Sequence, residues 1–103
     1  MPNVFNEQTR ELCRAILTLR DVEELELFLS DAFTVKEILE ISQRVAVARM
    51  LRDGCVYTEI AQKTGASTAT ISRVNKCLQY GDGGYNLILS RLDEQIDASD
   101  TVK

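Results

Sequence analysis

At 103 residues the chain is long enough for one domain and too short for two typical ones, and its 45% hydrophobic and 27% charged residues give an ordinary globular balance. No apolar run approaches the roughly 18 residues that a membrane span requires. The chain has no histidine and a net charge of −4, so His-based triads, imidazole metal sites and a uniformly basic nucleic-acid-binding surface are all excluded.

The first residues lack the basic-then-apolar pattern of a secretion signal, which makes the cytoplasm the expected location. The proline at position 2 is the single one, so no later helix is interrupted by proline. Residues 6–20 read as a helix, with Leu12, Ala15, Ile16 and Leu19 at i, i+3, i+4 and i+7. Asp21 can cap a shorter second helix, whose first turn carries Glu23 and Glu24 and whose apolar positions are Val22, Leu25, Phe28, Leu29 and Ala32. Thr34-Val35-Lys36-Glu37 is a capping box. It opens the longest helix, which runs to about Arg52 and stops at Asp53-Gly54. One stripe of that helix holds Ile38, Ile41, Val45, Ala48 and Leu51, while Leu39, Val47 and Met50 lie off it. An apolar surface on two sides predicts packing on two sides, and in so short a chain the second side suits another subunit; a central helix of a monomeric bundle is the alternative.

The segment from Tyr57 to about Tyr80 carries the chemistry. Two short helices crossing steeply need a small residue where they meet and a residue tolerant of positive φ in the turn, and Ala61 and Gly65 fill those places. Ile71, Val74 and Leu78 form the inner stripe of the second helix, and Ile60 and Ala66 complete the shared core. Ser67 can cap that helix, which leaves Thr68, Ala69, Ser72, Arg73 and Lys76 on its outer face. Small side chains let a helix N-terminus enter a major groove, hydroxyls bond phosphates or bases, and the two cations suit phosphates. With Thr70 and, at the head of the first helix, Tyr57 and Thr58, these residues make the candidate DNA-binding set. Any tight helical hairpin would account for Ala61, Gly65, Ile71 and Val74. It would not account for the absence of carboxylates from residues 60–81 in a chain with sixteen of them.

Charge distribution agrees. Residues 1–43 carry −5, residues 44–80 carry +4 from Arg44, Arg49, Arg52, Lys63, Arg73 and Lys76 against Asp53 and Glu59, and residues 81–103 carry −3. One basic stretch in an acidic chain supplies the local field that phosphate binding needs. Gly81-Asp82-Gly83-Gly84 then breaks the chain, and a last amphipathic helix presents Tyr85, Ile88, Leu89 and Leu92 on one face. Cys13, Cys55 and Cys77 are odd in number and form no CxxC pair, so they read as small apolar residues rather than a zinc site or redox pair. No acid–base pair, nucleophile or Gly-rich phosphate loop stands out, so no enzyme, metal or cofactor is expected.

Gly65-Ala66-Ser67-Thr68-Ala69-Thr70-Ile71-Ser72-Arg73 resembles the helix-turn-helix of the Trp repressor family, in its Trp-repressor-related branch of uncertain ligand. The likeness extends back through Gln43-Arg44-Val45 and Met50-Leu51-Arg52 and covers roughly residues 20 to 92. It implies an all-α fold in which two chains intertwine as a homodimer, each with one helix-turn-helix unit (about 57–79) within a single domain over 1–96. A polar tail, 97–103, is expected to fray. The resemblance further implies a transcriptional regulator, a repressor, reading a palindromic operator in double-stranded DNA; a dimerisation or protein-interaction module without DNA binding is the alternative. In tryptophan-sensing members two arginines flank the amino acid. Arg73 matches the one in the recognition helix, and Gln43 or Arg44 the one in the long helix. A glycine and a serine that serve the ligand in those members are Val74 and Cys77 here. Gln43, Arg44, Arg73, Val74 and Cys77 are therefore the candidate effector pocket, and the two departures argue against tryptophan as its occupant.

Overall fold

A computed structural model describes the backbone of residues 3–102 and the side chains of residues 3–96. Six helices follow one another: α1 (Glu7–Ile16), α2 (Val22–Ala32), α3 (Val35–Arg52), α4 (Tyr57–Thr64), α5 (Thr68–Tyr80) and α6 (Gly84–Val102). The fold is all-α, as the periodicity predicts, with no strand among the described residues. No helix there is long and apolar enough to cross a membrane. The chain divides into two compact units, residues 1–38 and 39–103.

In the first unit the helix starts are fixed by local hydrogen bonds. Asn6 caps α1 through its side chain, which accepts from the Thr9 amide at 3.0 Å, while the Thr9 hydroxyl accepts from the Asn6 amide at 2.8 Å. Asp21 caps α2 by accepting from the Glu24 amide at 2.9 Å. The Thr34/Glu37 box closes as predicted, with bonds of 2.9 and 3.1 Å, and accepting the Thr34 amide holds the Glu37 carboxyl below its usual range. One boundary differs from expectation. The apolar spacing of α1 continues to Leu19, but the helix ends at Ile16. There the Thr18 and Leu19 amides turn to carbonyls three residues back, and the Thr18 hydroxyl takes the Ala15 carbonyl at 2.7 Å, which tightens the chain out of the helix. Phe28 and Phe33 meet edge to face with centroids 6.4 Å apart. Even so, α1 and α2 bury no residue fully.

The second unit holds the core, built from Val47, Ala48, Ile60, Ala66, Ile71, Val74 and Leu89, with Val45, Met50, Leu51, Cys55, Tyr57, Ala61, Leu78 and Tyr85 packed against it. Both sets of apolar residues on α3 reach this core. Ala48 comes from the principal stripe and Val47 from beside it, while Leu39 and Ile41 remain exposed. On α6 the expected face is only partly covered: Leu89 is buried, Tyr85 packs on the core, and Ile88 and Leu92 are exposed. Helical backbone continues to Val102, so it extends into the segment for which the sequence suggests fraying; the side chains of 97–103 lie outside the described residues.

Candidate nucleic-acid interface

The helix-turn-helix is assembled from short-range chemistry. Gly65 closes α4 in the left-handed region (φ 74°), and its amide returns to the Ala61 carbonyl at 2.9 Å. The Thr64 hydroxyl donates to the Ile60 carbonyl at 2.7 Å and accepts from the Ala66 amide at 3.1 Å. Ser67 then caps α5, accepting from the Thr70 amide at 3.1 Å. Ile60, Ala66, Ile71 and Val74 are buried beneath the turn, as expected, and Leu78 is half-buried. At the far end the Gly81 amide returns to the Cys77 carbonyl at 2.9 Å.

The outer face of α5 is open. Thr68, Ser72 and Lys76 follow one another at i, i+4 and i+8, Ala69 and Arg73 run alongside, and all five are exposed. Among the described residues neither Arg73 nor Lys76 makes an ion pair. The exposed N-terminal turn adds the positive end of the helix dipole to this face. Tyr80, 81% exposed, extends the Thr68–Ser72–Lys76 line by four residues. In the sequence Tyr80 marks the end of the helix, and its i+4 spacing from Lys76 is the signal that sets it on this face.

Other members of the candidate set have structural duties. The Ser67 hydroxyl donates to the Thr70 hydroxyl at 3.0 Å, so both are engaged in the cap. Tyr57 is half-buried against the core, while Thr58 is exposed on the first turn of α4. The basic stretch is also thinner in space than in sequence. Arg49 pairs with Asp93, Arg52 donates to the Ser90 hydroxyl at 3.4 Å, and Lys63 pairs with Glu59 at 3.4 Å. That leaves Arg44, half-buried, with Arg73 and Lys76 as cations free of such partners among the described residues.

The candidate effector residues fall in different surroundings. Val74 is 2% exposed and belongs to the core. Arg73 and Cys77 are exposed, and Gln43 donates its side-chain amide to the Thr64 carbonyl at 3.1 Å. Of the three cysteines only Cys55 behaves as the apolar filler expected of all three; Cys13 and Cys77 are exposed because their helix positions fall outside the packed stripes. Desolvation, then the neighbouring Glu59, pushes the Cys55 thiol up, which keeps it protonated.

The sequence model of the Trp repressor protein family matches residues 7–93. The Bacillus subtilis (strain 168) protein YerC, itself uncharacterized, is 50% identical over 84 residues, spanning 82% of this chain and 81% of that protein. A crystal structure of a TrpR-like protein from Eubacterium eligens superposes with a TM-score of 0.83 at 50% identity, covering 85% of this chain and 91% of that one. A solved chain from Staphylococcus aureus gives 0.84 at 47% identity, over 87% and 90% of the two chains.

Proposed function

The chain belongs to the Trp repressor family, and from that premise we propose that it is a sequence-specific transcriptional repressor that binds a palindromic operator as a homodimer in the cytoplasm. One observation carries this reading. The outer face of α5 presents small and hydroxylated residues at its N-terminal end and two unpaired cations beyond them, with no carboxylate from residue 60 to residue 81. Thr68, Ala69 and Ser72 suit base edges and thymine methyl groups at the floor of a major groove. Arg73 and Lys76 suit the flanking phosphates. Ser67 and Thr70 shape the helix start, and Thr58 stands where α4 would cross the backbone.

Tryptophan is not the effector in this reading; either no ligand is used or a smaller one is held by Arg73 and Arg44. Val74 fills core volume at the position where the family resemblance sets a glycine in tryptophan-sensing members, which supports a reading head that works without an indole beside it.

Selection of bound sequences from a random duplex pool tests the proposal, and recovery of a palindrome is the expected result. Retention on random duplex DNA at low salt, lost as salt rises, separates it from a protein-interaction module. A module of pI near 4.8 without DNA affinity would flow through. Failure to enrich any sequence, together with flow-through at low salt, would overturn the reading.

A further inference from the structure

We propose that Gln43 is a positioning residue for the recognition helix, its side-chain amide tying α3 to the turn of the helix-turn-helix through the Thr64 carbonyl. The consequence for DNA rests on the reading above; the geometry does not. The last carbonyls of a helix lack intrahelical donors. At the end of α4 the Ala61 carbonyl is taken by the Gly65 amide, while the Thr64 hydroxyl adds a bond to the Ile60 carbonyl one turn back. The Thr64 carbonyl receives its donor from a residue 21 positions earlier in the chain, at 3.1 Å. The same amide nitrogen lies 3.9 Å from where a Cβ on Gly65 would stand, so it rests directly against the turn.

This contact sits at a decisive place. Three residues after Thr64 comes Ser67, the cap of α5, and then Thr68 and Ala69 at the end of the helix proposed to enter the groove. Apolar packing of Val47 and Ala48 joins α3 to the same core, but the hydrophobic term itself is non-directional. A hydrogen bond constrains distance and angle together. Arg49 and Arg52 of α3 reach α6 instead, to Asp93 and Ser90. Gln43 therefore sets where the turn stands on α3, and with it the angle of the reading head. It does so with a side chain of the protein, in a role that needs no effector.

The test is a pair of substitutions. Gln43→Glu keeps the size of the side chain but sets a carboxylate oxygen against a carbonyl oxygen, whereas Gln43→Lys restores a donor. In Gln43→Glu, hydrogen exchange of the Gly65 and Ala66 amides should quicken by about tenfold, with helix content retained, and preference for the selected operator over random duplex should fall about three- to tenfold. Gln43→Lys should return both toward the unsubstituted values; using the preference ratio removes the uniform gain that an added cation brings to every duplex. Unchanged exchange at the turn in Gln43→Glu, or identical behaviour of the two variants, overturns the proposal. If the unsubstituted protein binds no duplex, the DNA-binding reading fails while the exchange result still decides the role of Gln43. Should Gln43→Glu not fold, magnetic resonance of the unsubstituted protein decides. One Gln43 side-chain amide proton protected from solvent supports the tie, and rapid exchange of both contradicts it.

Discussion

Gly65 and Gly81 bracket α5, and each is required for a different physical reason. A Cβ on Gly65 would meet nothing closer than 3.9 Å, so space is not the constraint; its φ of 74° is. Gly65→Ala should therefore cost about 1–2 kcal/mol in denaturant unfolding, and Gly65→Asn less, since asparagine tolerates the left-handed region. Gly81 has an ordinary φ of −85°, but a Cβ there would stand 2.5 Å from the Cys77 carbonyl oxygen. Gly81→Ala and Gly81→Asn should consequently destabilise to similar extents, a pattern opposite to that at Gly65. Val74 raises the effector question at the same scale. It is 2% exposed in a closed core, so admitting an indole there would overpack the site by about 1–3 kcal/mol, which weakens binding by about one to two decades. Cys77 in the serine's place offers only a weak donor. Calorimetry should give no heat at millimolar tryptophan with DNA binding intact; micromolar binding that tightens operator affinity would contradict this.

If α5 is the recognition helix as proposed, positioning and reading should separate along its length. Lys76→Ala should weaken binding to all duplexes alike and reduce the salt slope by about one unit. A bulky residue at Thr68 or Ala69 should instead change which sequence is preferred, and equal loss on specific and random DNA would refute that division. At the start of α3 the sign of a pH effect follows from Glu37. Its folded carboxyl is held low by the Thr34 amide, so its contribution is present above the ordinary carboxylate range and is lost as pH falls through the folded value. Glu37→Gln keeps an acceptor without a titrating charge, so acid unfolding of the variant should lack this component. These elements were legible because their signals are local: Asp21, Thr34, Ser67 and Gly65 each act within four residues of their partners. The end of α1 was not legible, because apolar spacing runs on to Leu19 while the Thr18 hydroxyl competes for the backbone. Nor was the pairing of Gln43 with Thr64 or of Arg49 with Asp93, since periodicity says which face is apolar and nothing about which polar groups meet across elements. For that reason the basic stretch of the sequence looked larger than the set of free cations.

At the scale of the whole molecule, the distribution of burial argues for a second chain. The core belongs to residues 47–89, while α1 and α2 bury no residue fully. In the first unit Leu17 is 83% exposed, Val22 68%, Leu27 70% and Val35 74%. Isolated helices of 10 and 11 residues are marginal in water, and most helical stability comes from burying an apolar face. Covering one such side chain contributes about 1.5–3 kcal/mol, so four of them amount to a large part of the roughly 5–15 kcal/mol by which a domain is stable. The exposed Leu39 and Ile41 on α3, with Ile88 and Leu92 on α6, extend the requirement into the second unit. A second copy of the chain would meet it, because two-fold pairing can cover an apolar face with its equivalent and close the assembly. Folding and dimerisation should then be one transition, with a midpoint temperature that rises with protein concentration. Sedimentation should find the dimer down to micromolar concentration, and a stable, folded monomer there would refute this. The same two-fold axis would carry the two α5 helices to half-sites about 34 Å apart, one turn of DNA. An insertion of five base pairs between the halves of a selected operator should abolish joint binding, because it turns the second half-site to the opposite side of the duplex.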